Sequence, residues 1–388
     1  MRMKKRYLLG LIVMAMGALL PSPAAATGTV TVVASGLDSP RGIAFFEGRM
    51  LVAEAGHGGL TCFGPADHPA CPGDTSQISW VDTTTGTITP LVTGLSSISF
   101  GREGTEGAAG ISVSDGQILA IMGVAPQGLP LDPAFDLGRA HSGRLISINP
   151  NGTWRSVASV GESDYTYTLQ FTEPTPGVYS PGTQEHDANP YGVLATDDGA
   201  YVVDAGANTL DFVNEDGQIS ILHHFTWRDP NPNNFPSDAV PTCVARSGDA
   251  LWVGQLSGQL FRIDGAGVTQ VVPMDGAGTP LLTHVTGCTS DHHGNLYFVN
   301  MFGPGTSFTD PSFFAGNVVR YNADEGKGSV VADNLFTPNM PAIGPDGNLY
   351  VTAGSICPAT GVGGPPPCKD GGKVLRINLP HGDDNNQD

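Results

Sequence analysis

The sequence predicts an all-β fold, a six-bladed β-propeller, and three observations carry that prediction. First, one strand pattern recurs six times: QISWVD (77–82), RLISIN (144–149), TLDFVN (209–214), QLFRID (259–264), NVVRYN (317–322) and KVLRIN (373–378). Each copy ends in Asp or Asn, residues that open Asx-type turns. Second, a shorter strand follows a glycine six times, after Gly48, Gly116, Gly199, Gly248, Gly294 and Gly347. Third, a fourth strand follows the long pattern in five copies, at 88–92, 154–158, 219–222, 269–272 and 330–332, and is missing after Asn378. A spare strand lies at the other end of the chain, at 29–33. The N-terminal strand is therefore expected to close the last blade, which leaves no long unpaired edge at the seam.

Residues 187–225 show one whole unit. A short apolar run begins at Tyr191, and Asp198-Gly199 follows as a hairpin turn signal. Tyr201-Val202-Val203 reads as the second strand, and 209–213 alternates polar and apolar residues as the third. A turn at 214–217 leads to a fourth strand over 218–222. Such a meander cannot bury both faces alone, so copies must stack.

In chain order, Arg2, Lys4, Lys5 and Arg6 precede an apolar run over 7–20 and then Ala24-Ala25-Ala26. Basic, apolar, then small residues reads as a signal peptide over 1–26, against the alternative of a membrane anchor. The propeller is expected over 27–380 and a disordered acidic tail over 381–388. Export implies a secreted location, extracellular or periplasmic, with no membrane span after cleavage. Loss of the four basic residues takes the formal charge from −19 to −23, which argues against nucleic-acid partners and anionic membranes. The ring is expected to be a monomer.

Six cysteines in an exported chain suggest disulfides. Cys62 and Cys71 flank a Pro-rich insertion in the first blade, and Cys357 and Cys368 flank another in the sixth. Cys243 and Cys288 fall at similar places in the first strands of blades four and five. The expected pairs are Cys62–Cys71, Cys243–Cys288 and Cys357–Cys368. Metal-binding thiols are the alternative, and no CxxC supports them.

Several insertions interrupt the pattern. Residues 124–141 lie inside blade two, and 161–186, with Tyr165, Tyr167, Phe171 and Tyr179, lead to blade three. Residues 301–315 carry Phe302, Phe308, Phe313 and Phe314. Long loops of this kind either bind ligands or pack their aromatics on a blade edge. Asp229, Asn231 and Asn233 have the alternation of a calcium loop, but Asn234 stands where glycine is needed and Val240 where the bidentate Glu is needed, so an EF-hand is excluded. Helix is expected to be scarce, because no long stretch has 3.6-residue periodicity.

The motifs DANPYGV (187–193), VDAGAN (203–208), AVPTC (239–243), WVGQLSG (252–258) and SGLDSPRG (35–42) give a family resemblance. Over nearly all of its mature length the chain resembles the ScyD/ScyE family of secreted bacterial propeller proteins. More distantly it is similar to NHL-type propellers, whose wider group includes streptogramin lyase. The nearer resemblance implies fold and compartment and carries no established activity. The lyase likeness would need a His and Glu cluster, and His284 and Glu106 match it loosely.

Candidate chemistry lies where the first strands begin, at the mouth of the central channel. One polar residue comes from each blade: Arg41, Glu106, Asn189, Asp238, His284 and Asn339, with Glu103 and Asp187 near in sequence. Glu106, Asp238 and His284 are candidate ligands for a divalent cation, calcium or magnesium. The alternative is that these polar groups bond neighbouring backbone or channel water. His223-His224 and His292-His293 read as surface residues. Gly-x-Ser-x-Gly is absent. The expectation leans away from an enzyme and towards an extracellular scaffold that binds a small molecule or protein, with a metal-dependent lyase or hydrolase as the alternative.

Overall fold

The structure, a computed structural model, describes residues 28–65, 69–101, 104–172, 183–226, 238–305, 310–359 and 366–379. The expected signal peptide over 1–26, the acidic tail over 381–388, the calcium-like run at 229–234, Glu103, Tyr179 and Phe308 lie outside the described residues.

After β1 (Val30–Leu37), blade one comprises β2 (Pro40–Phe46), β3 (Arg49–Glu54), β4 (Cys71–Val81), β5 (Ile88–Ser99) and the short β6 (Thr105–Glu106). Blade two holds β7 (Ala108–Ser114), β8 (Gln117–Met122), β9 (Arg144–Ile148) and β10 (Trp154–Ser159). Blade three holds β11 (Pro190–Thr196), β12 (Gly199–Asp204), β13 (Thr209–Asn214) and β14 (Ile219–His224). Blade four holds β15 (Pro241–Ser247), β16 (Ala250–Gln255), β17 (Leu260–Asp264) and β18 (Gly267–Val271). Blade five holds β19 (Val285–Ser290), β20 (Asn295–Asn300), β21 (Ala315–Asn322) and β22 (Lys327–Phe336). Blade six holds β23 (Pro341–Ile343), β24 (Leu349–Ala353) and β25 (Gly372–Ile377).

The N-terminal strand completes that last sheet. β1 pairs antiparallel with β25, Val30 opposite Ile377 and Leu37 opposite Gly372. The all-β six-bladed propeller is therefore the fold. Among the described residues two short α-helices interrupt it, α1 (Asp136–His141) and α2 (Val160–Thr168), both within insertions.

The core is not central. The larger apolar clusters lie between successive blades. Phe46, Leu51 and Ile78 meet Ile118 and Ile146 between blades one and two. Leu37, Ile43 and Val52 meet Tyr350 and Val374 across the seam. Near the axis the inner strands come too close for side chains: a Cβ on Gly42 would lie 2.5 Å from the Ala109 carbonyl oxygen, and one on Gly192 2.7 Å from that of Thr242.

All three disulfides form as expected. Cys243–Cys288 joins the inner strands of blades four and five and closes 45 residues; Cys357–Cys368 spans 11. In register, Cys243 takes the place that Gly192 holds in blade three, and Gly254 opposite leaves room for its sulfur. Loop-closure entropy makes the inter-blade bond worth about 4 kcal/mol and the loop staple about 3. Cys243→Ala with Cys288→Ala is thus expected to lower the chemical-unfolding midpoint more than Cys357→Ala with Cys368→Ala. The reverse order would contradict the cross-blade role.

The connections divide by face. In an antiparallel meander alternate turns fall at opposite ends. On one face lie tight turns, such as 47–48, 115–116, 197–198 and 248–249, many braced by Asx bonds like that of Asp82 Oδ1 to the Thr84 and Thr85 amides, 2.8 Å each. The long segments 55–70, 123–143, 160–189, 225–240, 301–314 and 354–371 leave and re-enter the blades on the other face, and two of them carry the disulfide staples. The inner strands begin on that second face.

Candidate functional site

Tyr191 stands at the second position of β11 and Arg41 at the second position of β2. The pairing register makes these equivalent places, since Pro40 lies opposite Glu54 and Pro190 opposite Asp204. Both side chains point to the axis and both are buried. The Tyr191 hydroxyl meets Asn339 of blade six, 2.7 Å from Nδ2 and 3.1 Å from Oδ1. Blades three and six are opposite in a ring of six, so this contact spans the channel. The Arg41 guanidinium lies over the Tyr191 ring, 5.3 Å from its centroid.

Arg41 is held on its other side as well. Its Nη2 donates to the Thr105 carbonyl at 2.6 Å and reaches Glu106 Oε1 at 3.3 Å. Burial opposes the guanidinium charge, but Glu106 and Tyr191 outweigh it and raise the Arg41 pKa. Burial also raises the Tyr191 phenol, with Glu106 adding and Arg41 and Asn339 opposing. The other Glu106 oxygen and Asn189 Oδ1 converge over Gly123, where a Cβ would lie 3.0 and 2.9 Å from them. Asn189 Oδ1 accepts from the Val124 amide at 2.8 Å.

Three of the six residues expected at the mouth thus form one network, Arg41, Glu106 and Asn339, joined through Tyr191, and Asn189 lies beside Glu106 over Gly123. Asp238 belongs to a different set: it accepts from Asn208 Nδ2 at 3.3 Å, and that amide is also 3.3 Å from Gln184 Oε1. His284 packs its ring edge-on against Phe302, with centroids 5.6 Å apart. Among the described residues no three His, Cys, Asp or Glu side chains are grouped so as to hold a metal ion. Glu106, Asp238 and His284 are not a cation cage in this arrangement, and the positive charge beside Glu106 is the chain's own guanidinium.

The segments that enter the inner strands are backbone-strained and tied down. Ser39 and Val240 have φ of 51°, and Thr337 of 37°. The polar residue at the end of a second strand fastens them: Glu54 Oε2 accepts the Asp38 amide at 2.6 Å, and Asp204 Oδ1 accepts the Asn189 amide at 2.6 Å. Burial raises the Glu54 pKa although Ser79 and Gln77 donate to it. Asp38 in turn holds His57 Nδ1 at 2.6 Å.

Two features of blade three were not expected. His224 is not a plain surface residue: it stacks on Phe171 with centroids 4.1 Å apart, and Nε2 lies 2.7 Å from Gln184 Oε1. Burial lowers its pKa to about 4. Beside it, Asp164 of α2 meets Asp204 and Asp211, and all three carboxyls are fully buried. The signal for Asp211 was present in the repeats. At its place the other copies have Ser79, Ile146, Phe261, Val319 and Leu375, so a carboxyl there is foreign to the pattern.

No family model matches this chain, and no curated protein matches it. Solved structures do resemble it. A protein of unknown function from Bacteroides thetaiotaomicron is similar with a TM-score of 0.53 at 10% identity, over 90% of this chain and 76% of the other. XC5397 of Xanthomonas campestris, described as a gluconolactonase, is similar with a TM-score of 0.50 at 11% identity, over 91% and 90%. At these identities the likeness is one of fold.

Proposed function

We propose that this chain is an exported propeller of the ScyD/ScyE type that binds an extracellular small molecule or protein on its insertion-bearing face. The observation that carries this reading is the closed axis. Arg41, Glu106, Tyr191 and Asn339 bond one another across the channel, and of their buried polar atoms Arg41 Nε and Glu106 Oε2 have no partner among the described residues. A group that is already satisfied and buried gives little binding energy until its bonds are broken. Contact is left to the rim, where the long insertions and both stapled loops gather. Three disulfides accord with export, and among the described residues no helix is long and apolar enough to cross a membrane. The motifs quoted above support the ScyD/ScyE assignment.

The competing reading is a lyase or hydrolase that uses a divalent cation on Glu106, Asp238 and His284. It would have to place a second positive charge beside the Arg41 guanidinium, which Coulomb repulsion opposes. Metal analysis separates the two. Purified mature protein is expected to contain no stoichiometric calcium or magnesium, and its melting temperature is expected to be the same with calcium and with chelator. Stoichiometric metal that disappears in Glu106→Gln with Asp238→Asn would establish the enzyme reading instead.

A further inference from the structure

Asp164, Asp204 and Asp211 have no solvent exposure, and among the described residues no Lys or Arg forms an ion pair with any of them. Asp164 is brought by α2, an insertion; Asp204 and Asp211 belong to blade three. The Asp164 carboxyl is within hydrogen-bonding reach of both others. Thr209 Oγ1 lies 2.9 Å from Asp211 Oδ2 and 3.3 Å from Asp164 Oδ2, and a single hydroxyl hydrogen cannot serve both. Asp204 Oδ1 takes three backbone amides, from Asn189, Gly206 and Ala207. One oxygen of each carboxyl, Asp164 Oδ1, Asp204 Oδ2 and Asp211 Oδ1, has no donor among the described residues.

Three buried carboxylates with orphaned oxygens, grouped around Asp164, would repel strongly and go unsolvated. A proton on a carboxyl turns an acceptor into a donor and removes both penalties. We propose that Asp164, Asp204 and Asp211 share protons in the folded chain, and that this sharing is the clasp that fastens α2 to blade three and releases it when the carboxyls ionise. Burial, then the charge of Asp164, raises the Asp204 pKa as well, but the three amides that face it favour its charged form, so it is the member best suited to keep its charge. Asp164 and Asp211 are the members that carry protons.

The neighbours favour the neutral form. On α2, Tyr167 faces Asp211 and Asp164, and its own pKa is raised by burial and by their charge. From the segment before β11, Asp187 adds negative charge beside Asp204. From β14, His224 contacts Tyr167 and is neutral above about 4, so it supplies no compensating cation near pH 7. Burial, then the charge of Asp204, pushes Asp211 up to about 8. Burial, then Asp211, raises Asp164 well above the ordinary range. A carboxyl raised in the fold binds its proton more tightly there than in the released state. Its contribution is complete below the ordinary Asp value and is lost as pH rises to about 8. The clasp therefore holds in acid and loosens in mild alkali. It concerns how α2 is held, and it stands whether or not the insertion-bearing face binds a ligand.

Hydrogen exchange on the whole mature protein tests this. After correction for intrinsic rates, amides of residues 162–168 are expected to lose about tenfold or more protection between pH 6 and pH 9, while β12 and β13 keep theirs; tenfold corresponds to one unit of differential protonation. In Asp164→Asn with Asp211→Asn, where amides stand in for protonated carboxyls, α2 is expected to stay protected throughout. Should that variant not fold, infrared difference spectra of the wild type decide: a carbonyl band of buried protonated carboxyl at pH 7 that vanishes by pH 9 is expected. Equal α2 protection at both pH values would overturn the clasp. So would calcium that binds stoichiometrically and restores α2 protection at pH 9, because the carboxylates would then be held by a cation.

Discussion

Arg41→Ala is expected to cost about 3–5 kcal/mol of stability, the range found when one member of a buried ion pair is removed. Arg41 and Glu106 are mostly shielded from water, with side-chain exposures of 9% and 21%. Truncation leaves the Glu106 carboxylate near the axis without its counter-charge and the Thr105 carbonyl without its donor. It also opens a void over the Tyr191 ring, whose hydroxyl keeps its bond to Asn339. Arg41→Met with Glu106→Gln removes both charges and fills most of the space, so the pair of changes should cost far less than the two single costs added. Chemical unfolding of the four proteins checks this. A single Arg41→Ala cost below about 1 kcal/mol would mean that the axis network is ornamental, and the closed-axis argument for rim binding would lose its support.

The ring itself was legible because it repeats. Each blade carries the same Asx-terminated strand and the same glycine-led strand, and six agreeing copies outweigh any local ambiguity. The disulfides were legible for a related reason: two pairs bracket single insertions, and the third pair falls on adjacent inner strands. The axis was harder, and the difficulty was one of register. Arg41 and Asn189 look like matching polar residues before an apolar run. The pairing shows that Arg41 matches Tyr191, the residue after Pro190, while Asn189 precedes that proline. Asn189 is thus two residues out of register with Arg41. Polar residues at unequal register positions therefore read as one ring, and the aromatic residue that spans the channel read as the start of an apolar run. Asp164 was illegible for another reason. It sits on an insertion with no counterpart in the other blades, so no comparison within the chain could mark it.

Deletion of residues 28–37 is expected to abolish the soluble monomer. β1 supplies the outer strand of blade six, and its register with β25 runs from Val30–Ile377 to Leu37–Gly372. Without it β25 becomes a bare edge whose free amides and carbonyls invite pairing with another copy. The loss is not confined to that edge. Ala34 and Leu37 belong to the apolar cluster that holds blade six against blade one, with Ile43, Val52, Tyr350 and Val374. Open repeat arrays tolerate the loss of an end unit, but a closed ring has a single seam and every blade depends on its closure. Gel filtration of the deleted protein should show aggregates or oligomers, and the full-length chain a monomer. Leu37→Ala offers a milder version: the side chain has no exposure, and its truncation should cost about 2–5 kcal/mol. Val32→Ala on the same strand, at 56% exposure, should cost no more than about 0.5 kcal/mol. A deleted chain that stayed monomeric and melted like the parent would show that the seam contributes nothing. Blade six would then have to stand on its three remaining strands, with an apolar face open to water between it and blade one.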